Sequence, residues 1–337
     1  MKSQTNSSDK AINVRQTARE QIEGIMGKGN AIRSLFNLVE LYAKQDCPIL
    51  FEGETGVGKK EIVNYLHAIS PRSRKKLVTI DCGTLSESLI EPELFGCKKG
   101  AYTDAKTDRI GQIETANGST LFLDNINYLP TSMQHKLLHV IEDQRFTKVG
   151  DNKPTEIDVR IVAAGNGDFK DLIEKNRFLI NLSERFVEII KVPNLTVRKD
   201  DMDFFIDKFL KEKAKELGKK GLRTDAKTRN LIKEHTWKNN VRQLKNFIHR
   251  IVTRVEDREN TKSQIIPFEL VKACLADEMV TGKQKEEAFD NDFTMETALN
   301  KARKKAIERA LERSLGNNEE AIALLGIARD TYFKWKK

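Results

Sequence analysis

No stretch of this chain approaches the ~18 consecutive apolar residues that a membrane-spanning helix needs, although hydrophobic residues make up 39% of it. The opening from Met1 to Lys10 is polar and lacks the apolar core of a secretory signal. A cytoplasmic location with no membrane partner is therefore the expectation. Cysteine is scarce, with four in 337 residues at Cys47, Cys82, Cys97 and Cys274. None is spaced for a disulfide framework or a metal cluster, which suits a reducing compartment and free, mostly buried thiols. Internal repeats are missing too, which removes solenoid arrays from consideration.

What is present is enough chain for two or three compact units, at roughly 100 to 200 residues each. The formal charge of +9 is modest for this length and compatible with a phosphate-bearing partner. Residues 1–20 are polar and unpatterned and read as a flexible lead-in, with no room for a sensory domain. Residues 21–202 alternate strand-like and helix-like runs, the pattern of an open parallel sheet with helices on both faces. The strand candidates are Ile49 to Glu52, Leu77 to Asp81, Thr120 to Asp124 and Val159 to Ala164. In residues 203–276 apolar side chains recur at helical spacing, at Phe204, Phe205, Phe209, Leu244, Phe247, Ile248 and Ile251, which predicts a small helical lid. Residues 277–293 read as a linker and 294–337 as a short all-helical module.

The most informative segment is Gly53-Glu54-Thr55-Gly56-Val57-Gly58-Lys59. It follows the apolar strand Ile49-Leu50-Phe51 and precedes a helical run. Glycines there let consecutive backbone N–H groups turn toward phosphates, the helix presents its positive end, and Lys59 reaches the terminal phosphates. The chemistry is that of a nucleoside triphosphate site, with ATP and Mg2+ as the expected cofactors. Lys60 occupies the place where many such loops put a hydroxyl on magnesium, so the metal needs another holder. Asp124, at the end of the strand Thr120 to Asp124, is the candidate. Where a catalytic glutamate usually follows that aspartate, this chain has Asn125. An amide has no useful proton affinity, and loss of a general base typically costs on the order of 10²- to 10⁴-fold in rate.

The loop is followed by Glu93-Leu94-Phe95-Gly96-Cys97-Lys98-Lys99-Gly100-Ala101-Tyr102-Thr103-Asp104-Ala105 and then by Thr120 to Asp124. Together these resemble the central AAA+ domain of bacterial sigma-54-dependent transcription activators, over about residues 20 to 275. The resemblance implies an α/β P-loop core with a helical lid, self-assembly into a hexamer or heptamer ring, and a loop, here Gly100 to Ala105, that pushes on sigma-54 RNA polymerase holoenzyme. Asp104 replaces a glycine of that loop, removing backbone freedom and adding a negative charge. By the same resemblance Asn166, ending Arg160 to Asn166, is the sensor of the terminal phosphate. Arg242, in Trp237-Lys238-Asn239-Asn240-Val241-Arg242-Gln243-Leu244, is the lid arginine that touches phosphates.

The departures gather at hydrolysis. Leu179 stands at the first inter-subunit arginine position, while Arg185 survives at the second and Arg177 lies close by in sequence. The strand Val78 to Cys82 carries Asp81 where the family has an asparagine able to hold the catalytic glutamate. Asparagine and carboxylate have thus exchanged places between positions 81 and 125, and Asp81 is expected either to keep weak hydrolysis by approaching the attacking water or only to preserve the hydrogen bond to Asn125. At the far end a helix, a glycine-containing turn and a basic helix resemble the carboxy-terminal helix-turn-helix of the same activators. That arrangement would present Arg329, Thr331, Tyr332 and Lys334 to double-stranded DNA, with Lys336 and Lys337 near phosphates. The reading implied is a sigma-54-interacting regulator that binds ATP, assembles a ring and remodels polymerase. The alternative is a DNA-binding regulator that uses ATP as an assembly ligand with little or no hydrolysis.

Overall fold

The computed structural model describes residues 16–101, 107–256, 264–288 and 317–336, together with 303, 306, 307, 310, 311 and 314. The chain divides into two compact units, Met1–Leu270 and Val271–Lys337.

The first unit is built on five parallel strands: β1 (Ile49–Glu52), β2 (Val78–Asp81), β3 (Thr120–Asp124), β6 (Arg160–Gly165) and β7 (Glu188–Lys191), in the order β2-β3-β6-β1-β7. Between β3 and β6 the chain makes a small antiparallel hairpin from β4 (Arg145–Thr147) and β5 (Pro154–Glu156). Successive side chains on a strand point to opposite faces, and the core divides accordingly. Leu50, Leu121, Leu123, Ile161 and Ala163 enter one buried cluster. Ile49, Phe51, Phe122, Val162 and Ala164 enter the other. Both faces are therefore covered, which is why these strands read as near-continuous apolar runs.

Three of the four expected strands share their carboxyl ends with the observed ones; the fourth extends one residue further, to Gly165. β7 went unpredicted because Glu188 and Lys191 bracket only two apolar residues. The short β4–β5 hairpin, with Pro154 opening its second strand, carried no alternating signal.

One buried charge organises the amino end of β6. Arg160 donates to the carbonyls of Tyr42 (2.9 Å), Ala43 (3.3 Å) and Cys47 (3.2 Å), closing the last turn of the helix Asn30–Ala43. A cation at a helix carboxyl end satisfies otherwise orphaned carbonyls and complements the helix dipole.

The lid belongs to this first unit as far as Leu270, and helix Phe268–Ala288 corrects the expected linker, because residues 277–288 continue that helix. Helix Met202–Glu216 packs on helix Asn240–Arg254. Phe205, Phe209, Leu244, Phe247, Ile248 and Ile251 are buried, and Trp237 lies 5.0 Å from the ring of Phe247. A two-stranded ribbon of β8 (Leu222–Arg223) and β9 (Gln264–Ile265) completes it.

In the second unit, helix Asn318–Leu325 is capped by the Asn317 side chain and ends at Gly326, whose φ of 62° lets the chain turn into helix Arg329–Lys336. Ile307, Ala310, Ala321 and Tyr332 form its core. Leu325 packs against that core as the apolar spacing predicts, whereas Leu324 is exposed. Among the described residues no helix is long and apolar enough to cross a membrane.

Candidate functional site

All five strands of the sheet run the same way, so the loops after β1, β2, β3 and β6 leave from one edge. In open α/β sheets that edge is where ligands bind. The loop after β1 turns through Gly56 (φ 81°) and Gly58 (φ 103°) into helix Lys59–Ala68. Only glycine takes these angles without strain. The Lys59 ammonium donates to the carbonyls of Gly53 (2.7 Å) and Glu54 (3.0 Å) and to Oδ1 of Asn166 (2.5 Å). Burial lowers its pKa to about 8, with the charge of Arg242 acting in the same direction and Asp124 and Glu54 opposing. An ammonium held partly dry among neutral dipoles is primed for a phosphate.

The lid closes directly over this loop. Asn240 donates to Oε2 of Glu54 (2.9 Å) and to the carbonyl of Thr55 (3.1 Å), and its own Oδ1 accepts from the N–H of Leu195 (2.7 Å). Asn194 grips the other Glu54 oxygen at 2.7 Å. A Cβ at Gly56 would stand 2.2 Å from the carbonyl oxygen of Asn239 and 3.0 Å from Cβ of Arg242. Arg242 is exposed and faces the loop across that contact. A buried ion pair then fastens the lid to residues 26–29: Arg198 contacts Asp201 at 3.2 Å and donates to the carbonyl of Met26, while Asp201 accepts from the N–H groups of Lys28 (2.8 Å) and Gly29 (2.7 Å). Asn194, Asn240, Arg198 and Asp201 were not singled out from sequence. Asn240 lies inside the quoted stretch from Trp237 to Leu244, and its φ of 51° emerges only in the structure.

The register Asp81↔Asp124 between β2 and β3 brings position 81 beside position 125. Asn125 sits in a left-handed conformation, φ 56° and ψ 41°. Its amide nitrogen donates to Oδ1 of Asp81 (2.8 Å) and its amide oxygen accepts from Nδ2 of Asn166 (2.9 Å). With the Lys59–Asn166 bond this makes an unbroken chain, Lys59 to Asn166 to Asn125 to Asp81. Its polarity fixes which way each amide points, because a carboxylate only accepts and an ammonium only donates. The backbone N–H of Asn166 is anchored in turn by Oδ1 of Asn127 (3.0 Å), a further residue that sequence reading passed over.

Asp124 is partly buried, and that burial raises its pKa; the neighbouring charge of Asp81 adds to the effect, while the N–H of Asn125 at 3.0 Å, Lys59 and Lys60 oppose it. Cys82 lies in the same environment, its thiol pushed up to about 12 by burial and by Asp81 and Asp124. No group of three or more His, Cys, Asp and Glu suited to a metal occurs among the described residues. A divalent ion here fits only as magnesium is commonly held, by one carboxylate with phosphate oxygens and water. Asp124 is the residue that would hold it. Lys60 is exposed and near enough for its charge to act on that carboxylate.

Other predicted residues lie elsewhere. Arg185 is exposed and paired with Glu142 at 2.5 Å, and Arg177 is exposed. Leu179 gives its backbone N–H to Oε1 of Gln134 (2.8 Å), and its side chain packs against the core, a structural role within this chain. Gly100 (φ 82°) and Ala101 form one side of a loop base closed by a bridge between Cys97 and Arg109 and by Lys98 with Asp108 at 3.1 Å. Tyr102, Thr103, Asp104 and Ala105 lie outside the described residues. In the second unit Arg329 is exposed and paired with Glu319 at 3.0 Å, and Thr331 is half-exposed. The side chain of Lys334 and all of Lys337 lie outside the described residues. Tyr332 corrects an expectation. It is fully buried, and its hydroxyl donates to Asn318 at 2.9 Å, because the packing of helix Arg329–Lys336 on Ala321 turns it inward. It therefore braces the module and is not presented to DNA.

Comparison with known proteins places this geometry. The model of the Sigma-54 interaction domain family matches residues 25–191, and that of the AAA+ ATPase lid domain family matches residues 196–281. The chain is 35% identical to the nitric oxide reductase transcription regulator NorR1 of Cupriavidus necator over 246 residues, 73% of this chain and 48% of that protein. It is 33% identical to the nitrogen fixation protein AnfA of Azotobacter vinelandii over 306 residues, 90% of this chain and 55% of that protein. With the transcriptional regulatory protein ZraR of Klebsiella oxytoca it shares 36% over 309 residues, 91% of this chain and 67% of that protein. The chain thus spans about half the length of several curated relatives it matches. A crystal structure of NtrX from Brucella abortus in complex with ATP superposes with a TM-score of 0.65 at 25% identity, covering 91% of this chain and 67% of that one. Another NtrX structure gives a TM-score of 0.67 at 24% identity, over 98% and 70%, a likeness of fold alone.

Proposed function

We propose, from the premise that this chain belongs to the sigma-54-dependent transcription activator family, that it is an ATP-binding regulator that assembles into a hexamer or heptamer ring and remodels sigma-54 RNA polymerase at promoters, with turnover slowed by Asn125. The observation that carries the reading is the placement of Lys59. Its ammonium is already seated in the loop from Gly53 to Gly58, against Asn166 and under the lid. Incoming phosphates would take over the bonds that Lys59 makes to Gly53, Glu54 and Asn166, with magnesium held between Asp124 and phosphate oxygens. Losing Lys59 as a donor, Asn166 would reorient, and Asn125 and Asp81 would feel the change through the hydrogen-bond chain. Arg242 would reach the phosphates from the lid side, and Arg185 would reach those of the adjoining subunit. The loop from Gly100 to Ala105 would make the contact with sigma-54, and the second unit would bind double-stranded DNA through Arg329, Thr331 and Lys334.

A second reading, ATP as an assembly ligand with no turnover, is favoured by one observation. Both ends of the Asn125 amide are engaged, by Asp81 and by Asn166, which leaves no carboxylate at that position to polarise water. Promoter opening by purified sigma-54 polymerase separates the two. Opening that requires ATP and fails with a non-hydrolysable analogue is the expected result. Ring assembly and DNA binding driven equally by ATP and the analogue, without opening, would establish the second reading instead.

A further inference from the structure

Away from the phosphate loop, the lid helix Met202–Glu216 sorts its lysines. Lys208 contacts Glu212 at 3.9 Å and Lys213 contacts Glu216 at 2.5 Å. Lys211 and Lys215, one turn apart, make no ion pair and no side-chain hydrogen bond with any described residue, and both are exposed. They face a cavity of about 590 Å³ whose far wall is the turn from Gly218 to Arg223. Lys220 and Arg223 stand on that wall, also exposed and without an ion pair among the described residues. Leu210 and Ala214, both buried, supply apolar surface between the cations.

The remaining charges at this cavity are committed elsewhere. Asp207, its single carboxylate among the described residues, is bonded to Arg229, which also holds Asp203 at 3.3 Å. Lys219 donates to the carbonyls of Val252 (3.1 Å) and Val255 at the end of helix Asn240–Arg254. Four cations without an ion pair among the described residues, gathered around one concavity, repel one another, an arrangement that an anion relieves. The cavity falls within the ~300–1,000 Å³ range of small-molecule sites, and an apolar floor with a few converging polar groups is their usual construction. A surface for duplex DNA would instead spread its cations along a stripe that follows the backbone.

We propose that this lid cavity binds a small, multiply phosphorylated molecule of nucleotide size, at a site distinct from the phosphate loop. Lys211 and Lys215 would take phosphates from one wall and Lys220 and Arg223 from the other, with the apolar body of the ligand over Leu210 and Ala214. Occupancy would draw the turn from Gly218 to Arg223 toward helix Met202–Glu216, whose first turn is fastened beside residues 26–29 by Arg198 and Asp201.

The test uses the full chain with Lys59→Ala, which disables the phosphate loop, and follows the fluorescence of trinitrophenyl-ATP. Saturable binding that inorganic tripolyphosphate displaces is expected. Adding Lys215→Glu with Arg223→Glu should weaken it roughly tenfold or more. Lys215→Gln with Arg223→Gln, a milder change at exposed positions, should shift it in the same direction and serves if the charge reversal fails to fold. Absence of saturable binding in the Lys59→Ala chain, or binding indifferent to both pairs of substitutions, would overturn the proposal. So would displacement by a duplex of about 20 base pairs at lower phosphate concentration than tripolyphosphate requires, which would make the surface a DNA contact.

Discussion

The loop after β1 and the loop after β3 leave the same edge of one sheet and are linked through Asn166 of the loop after β6, yet they keep different parts of the ATPase pattern. The first retains its glycines, its lysine and a lid seated on Gly56. The second ends in Asp124 and then offers an amide where catalysis calls for a carboxylate. Leu179, at the position where the family resemblance implies an arginine, goes the same way, its side chain used for packing against the core. On the proposed reading, binding and hydrolysis are separable in this molecule. A phosphate cradle works through backbone geometry and one ammonium, whereas water activation depends on the proton affinity of one side chain.

The largest expected effect on that comparison comes from the cradle. Lys59→Ala should weaken ATP binding by about 30- to 1,000-fold, corresponding to roughly 2–4 kcal/mol for a charge-assisted contact to phosphate. Titration with a fluorescent ATP analogue checks it, with Asn125→Ala as the partner measurement that should leave affinity within a few-fold. Equal losses in the two would break the separation.

Gly56→Ala comes next. The added Cβ would meet the Asn239 carbonyl at a backbone angle suited to glycine, so lid seating should lose about 1–3 kcal/mol. The expected readouts are a lower melting temperature and weaker nucleotide binding.

The smallest effect is one of pH. Because burial brings Lys59 to about 8 in the empty site, its ammonium is lost as pH rises through that value, and ATP affinity should fall by up to about tenfold per pH unit above it. Stability of the empty protein moves the other way. The charged form is disfavoured in the folded state relative to the ordinary 10.5, so this group adds stability as pH climbs from about 8 toward 10.5. Calorimetric titrations at pH 7 and 9 read the first trend, and thermal melts without nucleotide read the second.

Much of the fold was legible because buried parallel strands are apolar on both faces, as β1, β3 and β6 are. Glu188 and Lys191 hid β7, and a two-residue ribbon such as β8–β9 has too few residues to show a period. The exchange between positions 81 and 125 was readable as composition. The hydrogen bond between the two could be expected from it, whereas its continuation through Asn166 to Lys59 required the structure. Asn194 and the lid residue Asn240 carry no periodic signal, since their role lies in single polar contacts to Glu54. Tyr332 was misread because an aromatic beside basic residues on a short helix looks the same whether it points to solvent or to the core.

The most direct test of the account is steady-state ATP hydrolysis by the natural chain beside the double exchange Asp81→Asn with Asn125→Glu, both with magnesium and at assembling concentrations. The exchange restores a carboxylate next to Asp124 and keeps a hydrogen-bond partner at position 81, without leaving carboxylates at both 81 and 125. Slow turnover in the natural chain and a rise of about 10²-fold in the exchanged one is the predicted result. Fast turnover by the natural chain, or no gain on exchange, would contradict the claim that Asn125 sets the rate.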